Sequence, residues 1–152
     1  MSDTPADDLY QRIVLDHGRN PRHRGALAGA THSARGDNPF CGDRVTVALV
    51  LDGDRIIEAR FDGAGCAIST ASASMMADAL RGRTRAEAEA LCGAFESLLA
   101  GAAGEAETAA LGELGAFAGV RRYPVRVKCA RLPWQTLVTA LAGGVGTVTT
   151  EK

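Results

Sequence analysis

The sequence has no excess of charge of either sign. Its 17 lysine and arginine residues are balanced by 18 aspartate and glutamate residues, and the formal net charge is -1. A protein that attracts nucleic acid or an anionic membrane through its overall field needs a surplus of basic residues. We therefore expect neither a nucleic-acid partner nor a membrane partner.

An export signal and long apolar runs are also missing. The N-terminus, MSDTPADD, is acidic and polar, whereas a signal peptide begins with basic residues followed by an apolar stretch. The longest apolar candidate, residues 45–51, is much shorter than the ~20 residues of a membrane-spanning helix. These observations predict a cytoplasmic protein. In that reducing compartment, we expect cysteines to be metal ligands, reactive thiols or core residues rather than disulfides.

The length and composition are those of one globular domain. The chain has 152 residues, of which 46% are hydrophobic. A chain of this length buries about 68–70% of the surface that its unfolded form exposes, so it needs no disulfides for stability. We expect a single domain over residues 1–152, with about six N-terminal and about eight C-terminal residues flexible.

The first half of the sequence predicts a helix followed by a β-hairpin. Thr4 can cap a helix whose first turn contains Pro5. Residues 29–39 are dense in glycine, serine, aspartate and asparagine, which predicts an irregular loop. Residues 45–51 and 55–61 are rich in β-branched side chains and are separated by Asp-Gly-Asp, which predicts a hairpin.

The second half predicts mainly helices. A helix over residues 67–80 follows Cys66, and Thr84 with Glu87 forms a capping box for a helix to about residue 100. A shorter helix is expected over residues 105–117.

The C-terminal region contains two prolines that suggest different structures. Pro124 predicts that residues 122–127 form a short extended segment at a sheet edge, whereas Pro133 can begin the last helix, which ends near Gly143. The tail from residue 145 is small and polar, and it is expected to fray. This order of elements indicates an α+β fold with a small sheet covered by helices.

The cysteines are the main candidates for functional residues. Cys41 and Asp43 lie two positions apart around a glycine, which lets both side chains turn towards one point. Cys66 lies at a helix N-terminus, where exposed N–H groups and the helix dipole favour the thiolate. Cys129 is flanked by basic residues, among them Arg126, which also favour a thiolate.

Two interpretations of these residues stay open. Three thiolates and a carboxylate complete a tetrahedral zinc site that leaves no position for water, which argues against a zinc hydrolase. The net charge of -2 of such a site calls for cations, and Arg126 and Lys128 are candidates. Free cysteines are also common core residues, and the spacing matches no short zinc-finger signature. Core packing is predicted for Cys92.

Other polar residues are not assigned to a site. The three histidines, His17, His23 and His32, have no partner at metal-ligand spacing, and we expect surface or loop roles for them. Three serines in the helix after Cys66 are assigned no chemistry; they are Ser69, Ser72 and Ser74.

Several short segments occur together along the chain. They are residues 9–10 (LY), 16–17 (DH), 20–22 (NPR), 38–43 (NPFCGD), 61–69 (FDGAGCAIS), 71–76 (ASASMM) and 126–130 (RVKCA). With these segments the sequence resembles the SufU branch of the IscU/NifU-like iron–sulfur cluster assembly proteins, from about residue 9 to about residue 141. The resemblance implies an α+β fold in which a small antiparallel sheet packs against several helices.

The resemblance also implies a metal site and an activity. The zinc ligands would be Cys41, Asp43, Cys66 and Cys129, without Cys92. Lys128 stands where the IscU branch usually has a histidine, and the segment between the last two of these cysteines is long; both features are similar to the SufU branch.

The implied function is sulfur transfer. A SufU-like protein would be a zinc-dependent sulfur acceptor for a SufS-type cysteine desulfurase, with the pyridoxal phosphate on that partner. We predict that Cys41 accepts the persulfide sulfur and that Arg126 supports the displaced thiolate. Further partners would be downstream SUF cluster-assembly proteins.

Two alternatives remain. The chain could be a scaffold that assembles a [2Fe-2S] cluster on the same cysteines and Asp43, with iron in place of zinc. It could also be a domain whose zinc is purely structural and stabilises the fold.

Overall fold

The structure, a computed structural model, describes residues 5–38, 42–143 and 147–149, with side chains described within residues 12–38 and 42–143. The elements are α1 (Pro5–Arg19), β1 (His32–Asn38), β2 (Asp43–Asp52), β3 (Arg55–Ala64), α2 (Ala67–Leu80), α3 (Arg85–Ala100), α4 (Glu105–Ala110), a 3₁₀ helix (Gly112–Arg122), α5 (Pro124–Leu141) and β4 (Thr147–Thr149). The predicted α+β class is confirmed. Thr4, the predicted cap of the first helix, lies outside the described residues.

The sheet has the strand order β3-β2-β1-β4. The predicted hairpin is confirmed, because β2 and β3 pair antiparallel, with Val47 opposite Phe61. On its other side β2 pairs antiparallel with β1, and Val47 lies opposite Ala34. Side chains along β2 alternate between buried and more exposed positions, so one face of the sheet belongs to the core. The short β4 pairs parallel with β1, and the sequence did not predict this strand within the polar tail.

The prediction of an irregular loop over residues 29–39 is wrong for most of this range, since residues 32–38 form β1. Its composition favours a loop, but pairing with β2 supplies hydrogen bonds that local propensity does not register. Gly36 shows why a small residue is needed there. A Cβ atom at this position would overlap Thr136 Oγ1 and would lie 2.9 Å from Leu132 Cδ1. The glycine therefore permits close approach of the strand to α5.

The prediction for the C-terminal prolines is also wrong. No extended segment forms at residues 122–127, because Pro124 occupies the first turn of α5, where its missing N–H costs nothing. Pro133 lies inside the helix and has no N–H to donate to the carbonyl of Cys129, four residues earlier. The predicted helix over residues 105–117 is interrupted. It ends at Ala110, and the 3₁₀ helix follows from Gly112, whose φ is 60°.

Helices cover the inner face of the sheet and enclose the core. The helix α5 contacts β1 and β2, while α2 packs between β3, α5 and α1. An aromatic cluster joins α3 to α5 and the 3₁₀ helix: Phe95 stacks on Trp134 at 4.7 Å and meets Phe117 edge-on at 5.4 Å. The predicted helix after Cys66 and the capping box of Thr84 and Glu87 are both confirmed. Within the described ranges, no helix combines the length and the apolar character needed to cross a membrane.

Candidate metal centre

Three predicted site residues from distant parts of the chain converge at one end of the sheet. Asp43 begins β2, Cys66 immediately precedes α2, and Cys129 lies in the second turn of α5. One ligand atom from each of the three lies within 4.8 Å of the other two. Cys41, the fourth predicted ligand, lies outside the described residues.

Cys66 caps the helix α2 through its sulfur. Its backbone is extended, and Sγ accepts a hydrogen bond from the Ser69 N–H at 3.4 Å. The preceding glycine leaves room for this arrangement: a Cβ atom on Gly65 would overlap Ser69 Oγ and approach Asp43 Oδ1 to 3.1 Å. Residues 63–66 (GAGC) therefore direct the Cys66 thiol to the N-terminus of α2 and towards the Asp43 carboxylate.

Asp43 is oriented by the backbone of Cys66. Its side chain is buried, and Oδ1 accepts a hydrogen bond from the Cys66 N–H at 2.9 Å. The second oxygen, Oδ2, lies 3.8 Å from Cys66 Sγ. One carboxylate oxygen is thus held by the chain while the other faces the thiols, which suits a monodentate metal ligand.

Cys129 is fully buried, and α5 is held to α2 close to it. The Ser72 hydroxyl of α2 donates to the Ala130 carbonyl at 2.6 Å and accepts from Trp134 Nε1 at 3.1 Å. These hydrogen bonds are buried, where removing one partner leaves a costly unsatisfied group. Ser72 therefore links the helix that follows Cys66 to the helix that carries Cys129. The sequence did not indicate this role.

The electrostatics of the centre favour a thiolate at Cys66. Its pKa is lowered to about 6, mainly by a hydrogen bond with Cys129 and further by hydrogen bonds from backbone N–H groups of α2. Burial and the Asp43 charge act in the opposite direction and raise the pKa. Arg126 lies one turn before Cys129. A hydrogen bond with the Cys129 thiol and attraction to Cys66 raise the pKa of its guanidinium. A permanent cation therefore adjoins both sulfurs.

The remaining cysteine is not part of this group. Cys92 lies on α3 among the core residues, and burial raises its pKa to about 12. Such a thiol stays protonated at neutral pH, and Cys92 is not among the three residues that converge at the centre. Its position agrees with the core role predicted for it.

The buried position of His17 was not expected from the sequence. The structure corrects the expected surface role, because His17 on α1 is 5% exposed and its Nδ1 lies 2.7 Å from Ser74 Oγ. The signal was present in the sequence: His17 follows Ile13 by four residues and so shares the inward face of the helix. His23 and His32 are only partly buried.

Comparisons with known proteins identify the family. The family model of the NifU-like N-terminal domain matches residues 9–130. The chain belongs to this family. A relative from Bacillus subtilis, named zinc-dependent sulfurtransferase SufU, is 38% identical over 136 residues, which cover 90% of this chain and 91% of the relative. A relative from Streptococcus pyogenes, named iron–sulfur cluster assembly scaffold protein IscU, is 39% identical, with 93% of this chain and 87% of the relative covered.

Solved structures of NifU-like proteins share the fold. A candidate scaffold protein for the SUF system from Fervidobacterium islandicum superposes with a TM-score of 0.81 at 36% identity, covering 88% of this chain and 97% of the other. The N-terminal part of a NifU-like protein from Brucella abortus gives a TM-score of 0.79 at 26% identity, with coverage of 90% and 94%. The resemblance to the SufU, IscU and NifU-like proteins is therefore confirmed.

The donor set of this NifU-like chain fits a metal. Thiols and carboxylate oxygens are ligands that zinc uses in proteins, and thiols are also the usual ligands of iron–sulfur clusters. Two thiolates on one tetrahedral zinc ion lie about 3.8 Å apart, as follows from a Zn–S length of about 2.3 Å, and the three atoms in this centre lie within 4.8 Å of one another. Small side-chain adjustments are enough to close the site.

Proposed function

We propose that this NifU-like chain acts in iron–sulfur cluster assembly as a zinc-dependent sulfur acceptor, receiving persulfide sulfur on Cys41 from a SufS-type cysteine desulfurase. The observation that carries the proposal is the convergence of Asp43, Cys66 and Cys129 on one point. The Bacillus subtilis relative, whose name includes zinc-dependent sulfurtransferase, adds support.

Cys41 would complete the ligand set. It precedes Asp43 by two residues, and covalent geometry keeps their Cα atoms within about 7 Å of each other. Four anionic ligands around Zn²⁺ leave a formal charge of -2. Arg126, with its guanidinium beside Cys66 and Cys129, offsets part of that charge.

Each residue of the centre would have a distinct part in sulfur transfer. When bound, zinc would keep the ligand cysteines as thiolates and protect them from oxidation. The Cys41 sulfur attacks the outer sulfur of the desulfurase persulfide, the S–S bond breaks, and the desulfurase cysteine leaves as a thiolate. Asp43, Cys66 and Cys129 preserve the site while Cys41 carries the added sulfur. Arg126 supplies positive charge next to the sulfur atoms.

Mass spectrometry of thiol peptides tests this proposal. The zinc-loaded protein is incubated with a SufS-type desulfurase and L-cysteine, and each thiol peptide is examined for an added sulfur atom. We expect the modification on Cys41 and its loss in Cys41→Ser, while the matched control Cys92→Ser behaves as wild type. Sulfur acceptance retained in Cys41→Ser would contradict the proposal. No added sulfur on any thiol, with an active desulfurase, would favour a purely structural zinc site.

A scaffold function is the second candidate, because the Streptococcus pyogenes relative is named an iron–sulfur cluster scaffold. Anaerobic reconstitution with iron and sulfide separates the two candidates. A stable, transferable cluster with thiolate-to-iron absorption would support the scaffold, whereas its absence together with sulfur on Cys41 would support the acceptor. The pyridoxal phosphate would belong to the desulfurase. The cytoplasmic location and the downstream SUF partners remain predictions.

A further inference from the structure

A cleft lined by polar residues lies between α1, α2 and the 3₁₀ helix. Its volume is about 440 Å³, which falls in the range of roughly 300–1,000 Å³ typical of small-molecule sites. Its lining includes none of Asp43, Cys66 and Cys129. The metal centre described above therefore leaves this cleft without a role.

His17 is the buried polar residue of the cleft. Its Nδ1 lies 2.7 Å from Ser74 Oγ, and the same oxygen accepts the backbone N–H of Arg22 at 2.8 Å. Because the Arg22 N–H occupies one acceptor lone pair of Oγ, the hydroxyl hydrogen of Ser74 is available for donation to His17 Nδ1. In that tautomer the imidazole hydrogen lies on Nε2, which is then the donor of the neutral ring. Among the residues whose side chains are described, the hydrogen bond of the His17 ring is the one at Nδ1.

Charges of both signs surround the imidazole. Burial and the Arg22 charge lower the pKa of His17, while Glu113, Asp16 and Asp78 act in the opposite direction. All four charged groups are therefore close enough to influence this histidine. The net effect of burial and these charges lowers the pKa of His17, which favours the neutral imidazole at pH 7.

The charges are distributed unequally between the two sides of the cleft. On the α1 side, the Arg22 guanidinium forms an ion pair of 2.8 Å with Asp16. On the opposite side lie Asp78 of α2, which contacts His23 Nε2 at 3.1 Å, and Glu113 of the 3₁₀ helix. Within the part of the chain whose side chains are described, the Glu113 carboxylate has no ion-pair partner. Arg12 also lines the cleft on the α1 side. This side therefore carries two guanidinium groups and one carboxylate, whereas the opposite side carries two carboxylates.

This arrangement is complementary to a zwitterion. We propose that the cleft binds a small free α-amino acid, whose carboxylate accepts the His17 Nε2–H beside Arg22 and whose ammonium group faces Asp78 and Glu113. Ile13 also lines the cleft and provides an apolar contact suited to a short aliphatic side chain. The binding requires no metal and is independent of sulfur transfer.

NMR titration of the full chain tests the proposal. The ¹⁵N-labelled protein is titrated with L-alanine and, separately, with propionate, ethylamine and N-acetyl-alaninamide at constant ionic strength. We expect saturable shifts of the His17 imidazole and Glu113 amide resonances with L-alanine. Each probe that lacks one or both charged groups should bind at least about tenfold more weakly, the effect of losing a charge-assisted hydrogen bond.

Variants make the test specific. Glu113→Gln removes a carboxylate at an exposed position, so we expect the fold to be retained. The substitution should weaken L-alanine binding about tenfold. The matched control Glu105→Gln, on α4 and outside the cleft, should bind as wild type. The proposal is overturned if L-alanine gives no saturable shift up to about 50 mM. It is also overturned if one half-ligand binds equally well or if Glu113→Gln has no effect.

Discussion

The backbone N–H of Cys66 donates to Asp43 Oδ1 at 2.9 Å, so one hydrogen bond joins the residue before α2 to the first residue of β2. This contact aligns the second carboxylate oxygen with the Cys66 sulfur at 3.8 Å. The carboxylate therefore has a structural function and a proposed ligand function, which can be separated by substitution.

Asp43→Asn should weaken zinc binding without unfolding the protein. The amide oxygen can still accept the Cys66 N–H, but the anionic ligand is lost. We expect zinc affinity to fall by at least about tenfold, measured by competition with a chromogenic chelator, because replacing a ligand charge costs more than a neutral hydrogen bond. Asp52→Asn, at the exposed end of β2, is the control. Equal affinities for the two variants would exclude Asp43 as a ligand.

Gly65→Ala should damage the centre through steric overlap. The added Cβ would overlap Ser69 Oγ and approach Asp43 Oδ1 to 3.1 Å, so the Ser69 hydroxyl and the carboxylate must both shift. We expect a loss of about 1–3 kcal/mol in the free energy of unfolding, measured by urea denaturation, together with weaker zinc binding. In Gly93→Ala the new Cβ meets no atom within 4 Å, and helix propensity should make this control more stable by roughly 0.5–1 kcal/mol. A fully stable, zinc-binding Gly65→Ala protein would contradict the described packing.

Arg126→Gln should lower zinc affinity while the fold remains intact. The substitution removes the cation that adjoins Cys66 and Cys129, so the anionic ligand set is less well compensated. We expect zinc affinity to fall several-fold, with circular dichroism unchanged. Arg131→Gln, which loses an ion pair with Glu96 on α3, is the matched control from the same helix. Identical zinc affinities in both variants would remove Arg126 from the centre.

Cys92 should resist alkylation in the native protein. Burial raises its pKa to about 12, so at pH 8 only about one molecule in 10,000 carries the thiolate that reacts. Iodoacetamide treatment followed by peptide mapping should show Cys92 modified only after denaturation. The thiolate fraction rises with pH, so any native-state reaction should increase tenfold for each pH unit up to the raised pKa. Rapid modification at pH 8 would show that α3 opens readily.

Local signals in the sequence were sufficient for several elements. The richness in β-branched residues on both sides of Asp-Gly-Asp predicted the β2–β3 hairpin, and Thr84 with Glu87 marked the start of α3. Such elements depend on residues close together in sequence. The cysteine and aspartate types also predicted a possible metal site, although composition alone left core packing as an equal alternative.

Other elements could not be predicted locally. The strand β1 depends on pairing with β2 and on the close contact between Gly36 and α5. The sequence prediction began the last helix at Pro133 and placed Pro124 in an extended segment, although both prolines are compatible with a first helical turn. Packing of α5 against α2, β1 and β2 decides in favour of Pro124.

The sequence by itself determined the fold class, the hairpin, the capping box of α3 and, through its motifs, the resemblance to the NifU-like family. These properties follow from local propensity, side-chain periodicity and short segments read along the chain. The tertiary structure alone decided that Asp43, Cys66 and Cys129 meet and that Ser72 joins the helices beside them. It also placed His17 in the cleft. Such contacts join residues far apart in sequence, and chain packing brings them within the few ångströms over which ligands and hydrogen bonds act.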